Sequence, residues 1–217
     1  MRENIPAAKG GGRQVAEQKP RIRHVCIYCG SSSGADPVFE EAATELGRRL
    51  AQAGISLVYG GGDVGLMGAV ARAVLGAGGH VTGIIPDFLR RRENMIEEAQ
   101  ELVVVRDMHT RKRMMFDRAD AFVALPGGIG TLEELVEQMT WSQLGRHRKP
   151  ILLLDVRGFW RPLVTLLDHM RAEGFIRPGL DLTYLVTDRV EKVLPMLDHA
   201  FTQPPTEEEE ALIQERF

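Results

Sequence analysis

The segment Ala121 to Glu134 reads AFVALPGGIGTLEE and combines residue types that bind an anion with residue types that can act on one. An apolar run, Ala121 to Leu125, stops at Pro126 and is followed by Gly127, Gly128, Ile129 and Gly130. Thr131 and Leu132 then open a helix-like stretch that carries Glu133 and Glu134. Strand, glycine turn and helix in that order let backbone N–H groups approach a ligand closely. The helix start adds unpaired donors and roughly half a positive charge, which together favour phosphate. A carboxylate beside such a cradle is placed to act on whatever the phosphate anchors. Adjacent residues point about 100° apart around a helix, so only one of the two acids faces the ligand, and Glu134 is the candidate. Thr131 and Glu134 also fit the capping-box spacing, a structural alternative for the same carboxylate.

Other stretches offer chemistry. Met108, His109, Thr110, Arg111, Lys112 and Arg113 form a basic helical segment ahead of the glycine turn. It reads either as a solvated cationic face or as a phosphate-binding group, for which arginine supplies a planar fork of donors. Met114, Met115 and Phe116 read as core or subunit contact. Gly30 with Ser31 forms a second turn, and Gly60, Gly61, Gly62 and Gly65 a third. The third fits G-x-G-x-x-G after a strand, with Asp87 further on, a superficial dinucleotide fingerprint. Its strand is not the first, Pro86 adjoins the acid, and another glycine turn competes for the phosphate. A dinucleotide loop, a turn that merely packs tightly, and a general nucleotide-contacting loop all remain open. No turn ends in G-K-[ST], which argues against a P-loop.

These residues need a scaffold, and the chain alternates strand and helix almost throughout. Strands are expected at Val25 to Gly30, Ile55 to Tyr59, Val81 to Ile85, Leu102 to Val105, Ala121 to Leu125, Ile151 to Leu154 and Tyr184 to Thr187. Helices are expected from Asp36 (N-cap) with Pro37, from Gly65 to Ala77, Asp107 to Arg118, Thr131 to Leu144, Phe159 to Ala172 and Val190 to Ala200. In the fifth of these, Leu163, Leu166, Leu167 and Met170 are expected to face inward, and Pro195 in the last implies a kink or a late start. Pro86 to Gln100 is charged and poorly patterned and reads as a long loop or lid. The class is α/β, Rossmann-like, with a parallel sheet of about seven strands and helices on both faces. Ligands in such folds sit beyond the C-terminal strand ends, where the three glycine turns lie.

Composition narrows the function further. The 217 residues suit a single domain, expected over residues 21–201, with tails at 1–20 and 202–217. A net charge of −3 and a pI near 6.1 argue against a nucleic-acid partner. No run of about 18 apolar residues points to a membrane, and the first 20 residues lack a signal core. Cys26 and Cys29 are spaced C-x-x-C but lie on a strand, where positions three apart face opposite ways. No further ligands are spaced for zinc, so no metal is expected, and two thiols without a disulfide framework suit a reducing cytoplasm.

Pro126 to Glu134 matches PGGxGTxxE. With Cys29-Gly30-Ser31, Tyr59 to Gly62, Gly65 to Gly68, Met108-His109, Arg111-Lys112, Thr140-Trp141 and Gln143 to Gly145, the chain from Arg23 to Leu197 resembles the LOG ("lonely guy") family. These are cytokinin riboside 5′-monophosphate phosphoribohydrolases, often mislabelled lysine decarboxylases. The resemblance implies a homodimer, working without a cofactor, that hydrolyses the N-glycosidic bond of AMP or an N6-substituted AMP to free base and ribose 5-phosphate. It carries the catalytic pair onto Arg111 and Glu134. Nucleotide contacts fall on Glu93, Met108, Lys112, Gly127, Gly128, Ile129, Gly130, Thr131, Leu132, Glu133 and Thr140, with Gly30, Ser31, Gly61 and Gly62 from the other turns. Ile129 replaces a tyrosine common in the plant members.

Glycosidic cleavage passes through an oxocarbenium-like state that a carboxylate can stabilise while activating water. A helix N-terminus and Arg111 would both favour ionised Glu134, suiting it to the role of base or electrostatic stabiliser. Arg111, always protonated, is assigned charge stabilisation and orientation. The proton for the departing purine has no clear donor, solvent and His109 being the options. A non-catalytic carrier of a nucleotide or of molybdenum cofactor is the alternative on the same fold. A pyridoxal-phosphate lysine decarboxylase is disfavoured, because no lysine has a recognisable Schiff-base setting.

Overall fold

Alternate residues of β1 (His24–Tyr28) enter two different cores: Val25 and Ile27 pack on one side, Cys26 and Tyr28 on the other. A strand buried on both faces needs helices on both, which is what the near-continuous apolar strands of this chain require. The computed structural model describes residues 22–90, 99–176 and 182–203; Glu93 and most of both expected tails lie outside the described residues.

After β1 come α1 (Pro37–Gln52), β2 (Ser56–Tyr59), α2 (Gly65–Gly76) and β3 (Val81–Pro86). The short α3 (Asp87–Arg90) and β4 (Glu101–Val105) follow, then α4 (Met108–Arg118), β5 (Ala121–Ala124) and α5 (Ile129–Gln143). The chain continues through β6 (Ile151–Leu154), a 3-10 turn (Val156–Gly158), α6 (Arg161–Ala172), β7 (Leu185–Thr187) and α7 (Val190–Thr202). The seven strands form one parallel sheet in the order β4-β3-β2-β1-β5-β6-β7. Residues from α1, α2 and α7 fill one face, and residues from α4, α5 and α6 fill the other. Strand order reverses between β1 and β5, where Tyr28 lies opposite Ala124, and a crevice between their C-terminal ends is the expected ligand position.

The expected elements are present, with instructive differences. Asp36 caps α1 by accepting the Val38 N–H at 3.0 Å, with Pro37 at the first helical position. Part of the poorly patterned stretch after β3 forms α3. The helix expected from Phe159 starts at Arg161, preceded by the 3-10 turn, and only Leu167 of its inward set is buried; Leu166 and Met170 are exposed. The sheet ends nearby in β7, a three-residue edge strand, so the outer part of this face offers little surface to cover four apolar side chains. Helix α7 runs through Pro195 without a late start. Met115 is buried, with Met114 and Phe116 packed against the same core, so that cluster is core. Cys26 and Cys29 lie in opposite cores, and burial pushes both thiols upward. No helix among the described residues is long and apolar enough to cross a membrane.

A buried histidine ties α5 to the chain leading into β6. His147 Nε2 lies 3.1 Å from the Gln138 carbonyl oxygen, and its Nδ1 accepts the Lys149 N–H at 3.1 Å. Its ring packs on Phe116 and Phe122. A neutral ring protonated on Nε2 satisfies both partners; a second proton would confront the Lys149 donor. Burial accordingly holds its pKa below the ordinary 6.5. The unfolded chain then binds more protons than the folded one as pH falls through that value, so stability is full above it and declines on acidification. Thermal melting between about pH 7 and pH 5 should show the melting temperature falling with acid, and falling less steeply in His147→Phe.

Candidate active site

Strand β3, the turn after β2 and helix α5 converge on one guanidinium. Arg111, in the first turn of α4, donates from Nε to the Ile84 carbonyl at 3.1 Å and from Nη2 to the Gly60 carbonyl at 3.3 Å. Nη1 lies 3.5 Å from Glu134 Oε1 and 3.9 Å from Met108 Sδ. Asp107 caps α4, accepting the Thr110 N–H at 2.7 Å, and so fixes the turn that carries the arginine. A Cβ on Gly60 would stand 2.0 Å from Nη2, so the third glycine turn has to be bare where the guanidinium seats. Gly61 and Gly62 are buried. Gly65 has φ +58, and a Cβ there would meet the Ser31 backbone at 2.4 Å, so the second and third turns pack against each other. The tight-packing reading of the third turn is therefore realised, around Arg111.

Helix α5 begins at Ile129, two residues earlier than expected, with Gly128 as an N-cap that makes no side-chain hydrogen bond. Thr131 is consequently inside the first turn, its side chain against Gly127, and Glu134 lies in the second turn. The capping box does not form. The first N–H groups of α5 have no intrahelical acceptor, as at any helix start, and the first turn closes with the Leu132 N–H on the Gly128 carbonyl at 3.0 Å. Gly128 and Gly130 are exposed, and a Cβ on either would meet nothing within 4 Å. Neither packing nor a positive φ demands glycine there; the bare backbone leaves room above the helix start. The Gly30 N–H donates to the Pro126 carbonyl at 3.0 Å, joining the second turn to this one. Ser31 and Ile129 are exposed at the rim.

Glu134 is 8% and Arg111 9% exposed, so both charges are buried as a pair. Burial pushes the Glu134 carboxyl upward, with Glu133 and Glu137 adding to the rise and Arg111 and Lys112 opposing it. This reverses the direction expected from sequence. The carboxylate sits a turn beyond the helix start, where the dipole has faded, and desolvation dominates. Its neighbour behaves as the 100° spacing predicts: Glu133 is exposed and pairs with Lys112 at 2.6 Å, and Glu137 reaches the same ammonium at 3.0 Å. Arg111 and Lys112 are thus buried partners of α5, while His109 and Arg113 remain on the surface. Leu132 is half-buried against the core. Thr140 is exposed, donating to the Val136 carbonyl at 2.8 Å, on a flank of α5 away from Glu134.

Two residues that carried no signal in the sequence lie close by. Tyr28, at the end of β1, is buried against Cys26, and its phenol is pushed upward by burial and by the Glu134 charge. Gln138, one turn after Glu134, is fully buried, with both ends of its carboxamide unpartnered among the described residues. A glutamine inside an amphipathic helix reads as surface unless the helix rotation is known. Among the described residues no group of three or more His, Cys, Asp or Glu could hold a metal ion.

Comparison with known proteins identifies the family. A family described as "Possible lysine decarboxylase" matches residues 67–197. The cytokinin riboside 5′-monophosphate phosphoribohydrolase LOG7 of Arabidopsis thaliana is 54% identical over 164 residues, 76% of this chain and 76% of that protein. The enzyme of the same name, LOG, from Oryza sativa subsp. japonica is 51% identical over 160 residues, 74% of this chain and 66% of that protein. Among solved structures, the molybdenum cofactor carrier protein of Chlamydomonas reinhardtii superposes with a TM-score of 0.63 at 18% identity, covering 84% of this chain and 100% of that one. The molybdenum cofactor binding protein of Rippkaea orientalis gives 0.64 at 20%, covering 84% and 99%. At those identities the structural likeness shows the fold alone. The family match and the relatives at about half identity show more: this chain belongs to the family described as possible lysine decarboxylases, among the relatives named cytokinin riboside 5′-monophosphate phosphoribohydrolases.

Proposed function

We propose that this protein is a phosphoribohydrolase that cleaves the N-glycosidic bond of AMP or an N6-substituted AMP to free base and ribose 5-phosphate. The observation that carries the reading is the buried Arg111–Glu134 pair beside the bare, uncapped start of α5. The relatives' names supply the substrate class. In this reading the N–H groups of Gly128 to Thr131 hold the 5′-phosphate, with no side chain on Gly128 or Gly130 to block its approach. Glu134 faces the anomeric carbon, stabilises its developing positive charge and takes a proton from the attacking water. A carboxylate raised by burial is a stronger base than an ordinary one and works nearer neutral pH. Arg111, held by two carbonyls, keeps that carboxylate aimed and ionised.

The carrier alternative leaves this pair without a purpose, since binding alone needs no buried base. The lysine decarboxylase named in the family description needs a free lysine amine at the site, and Lys112, which lies beside the Arg111–Glu134 pair, is taken up by two carboxylates. Two further parts of the reading rest on resemblance and composition. A homodimer closed through the exposed flank of α5 would cover Val136 and Leu144 and bring Thr140 into the interface. Buried free thiols at Cys26 and Cys29 suit a reducing cytoplasm.

Incubation with AMP and with isopentenyl-AMP, followed by chromatography, should yield free base and ribose 5-phosphate; intact nucleotide at high protein concentration would favour the carrier. Glu134→Gln should keep the fold and lose roughly 10²-fold or more in rate. Gly60→Ala should fold but displace the guanidinium, lowering kcat/KM by about 10²-fold, measured by the same product assay.

A further inference from the structure

Lys112 belongs to the contacts that resemblance assigns to the nucleotide, yet its ammonium is already engaged. Its side chain is only one-tenth exposed, and Nζ donates to Glu133 Oε1 at 2.6 Å and Glu137 Oε1 at 3.0 Å. Those two acids are one helical turn apart on α5 and bracket Glu134 in sequence. The second oxygen of Glu137, Oε2, is buried without a hydrogen-bond partner among the described residues. Swinging Lys112 away to a phosphate would leave Glu137 a largely buried carboxylate with neither oxygen paired, a strongly unfavourable state. A phosphate would also have to come close to two carboxylates to reach the ammonium.

We propose that Lys112 is a positioning residue: it neutralises Glu133 and Glu137 so that Glu134 ionises beside Arg111, and it does not bind the substrate phosphate. The charged groups facing Glu134 are few. Helix α4 presents Arg111 and Lys112, its own helix Glu133 and Glu137, and β1 with the residue after it presents Cys26, Tyr28 and Cys29. Burial keeps the two thiols and the phenol protonated, so none of the three contributes charge near neutrality. Two cations therefore stand against three carboxylates. Removing Lys112 leaves Arg111 alone among them, and Glu134 then meets two uncompensated negative neighbours that favour its protonated form.

The kinetic half of the test rests on the proposed hydrolysis, and the other half does not. The Glu134 side-chain carboxyl is followed by carbon-13 NMR against pH, assigned by its loss in Glu134→Gln. Relative to the parent, Lys112→Met should raise the titration midpoint by about one pH unit, Lys112→Arg should restore it, and Glu137→Gln should lower it. The acid limb of kcat/KM for AMP should move with the midpoint, while KM on the alkaline plateau stays within about threefold. An unmoved midpoint, or a KM raised about tenfold or more, overturns the proposal, the second being the mark of a phosphate ligand. If Lys112→Met does not fold, the direction of the Glu137→Gln shift decides. Shifted midpoints in a protein that releases no ribose 5-phosphate would sink the hydrolase reading and keep this one; turnover with unmoved midpoints would do the reverse.

Discussion

Burying one guanidinium organises the C-terminal edge of this sheet. A charge taken out of water is tolerated only when paired and hydrogen-bonded, and Arg111 finds its partners on opposite sides of the central strand. Its Nε and Nη2 take the carbonyls of Ile84, inside β3, and Gly60, just past the end of β2. Its Nη1 faces Glu134 on α5, the helix that follows β5. The arginine thereby links both halves of the sheet across the point where strand order reverses. Several oddities of the chain follow from that one placement. Gly60 must lack a side chain, Asp107 must cap the helix that presents the arginine, and an acid must be buried on α5.

The second pair, Lys112 with Glu133 and Glu137, repeats the pattern one residue further along α4. Consecutive basic residues on one helix engage acids on another, so α4 and α5 are held by a ladder whose inner rung is dry and whose outer rung reaches solvent. Exposed ion pairs contribute little to stability, whereas breaking a buried one is costly. The Arg111–Glu134 pair and the Lys112–Glu137 arm therefore do most to fix the approach of the two helices, and the exposed Glu133 arm acts chiefly through charge. The basic segment Met108 to Arg113 divides accordingly: its buried members face α5, and His109 and Arg113 form the solvated remainder.

The strand and helix pattern was legible because parallel strands are continuously apolar and the helices carry clear caps. Asp36 with Pro37, and the glycines after β1, β2 and β5, marked element ends directly. The pairing of Arg111 with Glu134 followed from resemblance and became geometry only in the fold. The exact start of α5 was not legible, because Thr131 followed by Glu134 imitates a cap, while Gly128, which has no side chain to signal a cap, takes the N-cap position. The direction of the Glu134 shift was missed for the same reason. Moving the helix start back by two residues takes the carboxylate out of the first turn and into the interior, and desolvation depends on neighbours that a linear reading does not see. Gln138 and Tyr28 were invisible on the same ground, being polar side chains whose burial depends on helix rotation and on the twin-sided burial of β1.

The distance from Gly128 to Glu134 carries a further argument. Six residues of α-helix advance about 9 Å along the axis, and side chains lean back toward the N-terminus. The Glu134 carboxylate therefore lies nearer to the open N–H groups than its Cα does. A 5′-phosphate and an anomeric carbon are separated by a few bonds of one sugar, a span of that order. One helix can then present an anion site at its start and a cation-stabilising acid a turn inside, and a single nucleotide meets both. The two requirements conflict electrostatically, since a carboxylate close to a phosphate repels it and a helix start depresses the basicity of an acid. In the proposed reading, placing Glu134 beyond the first turn, and backing it with Arg111, separates them: the dipole would act on the phosphate, while burial sets the acid.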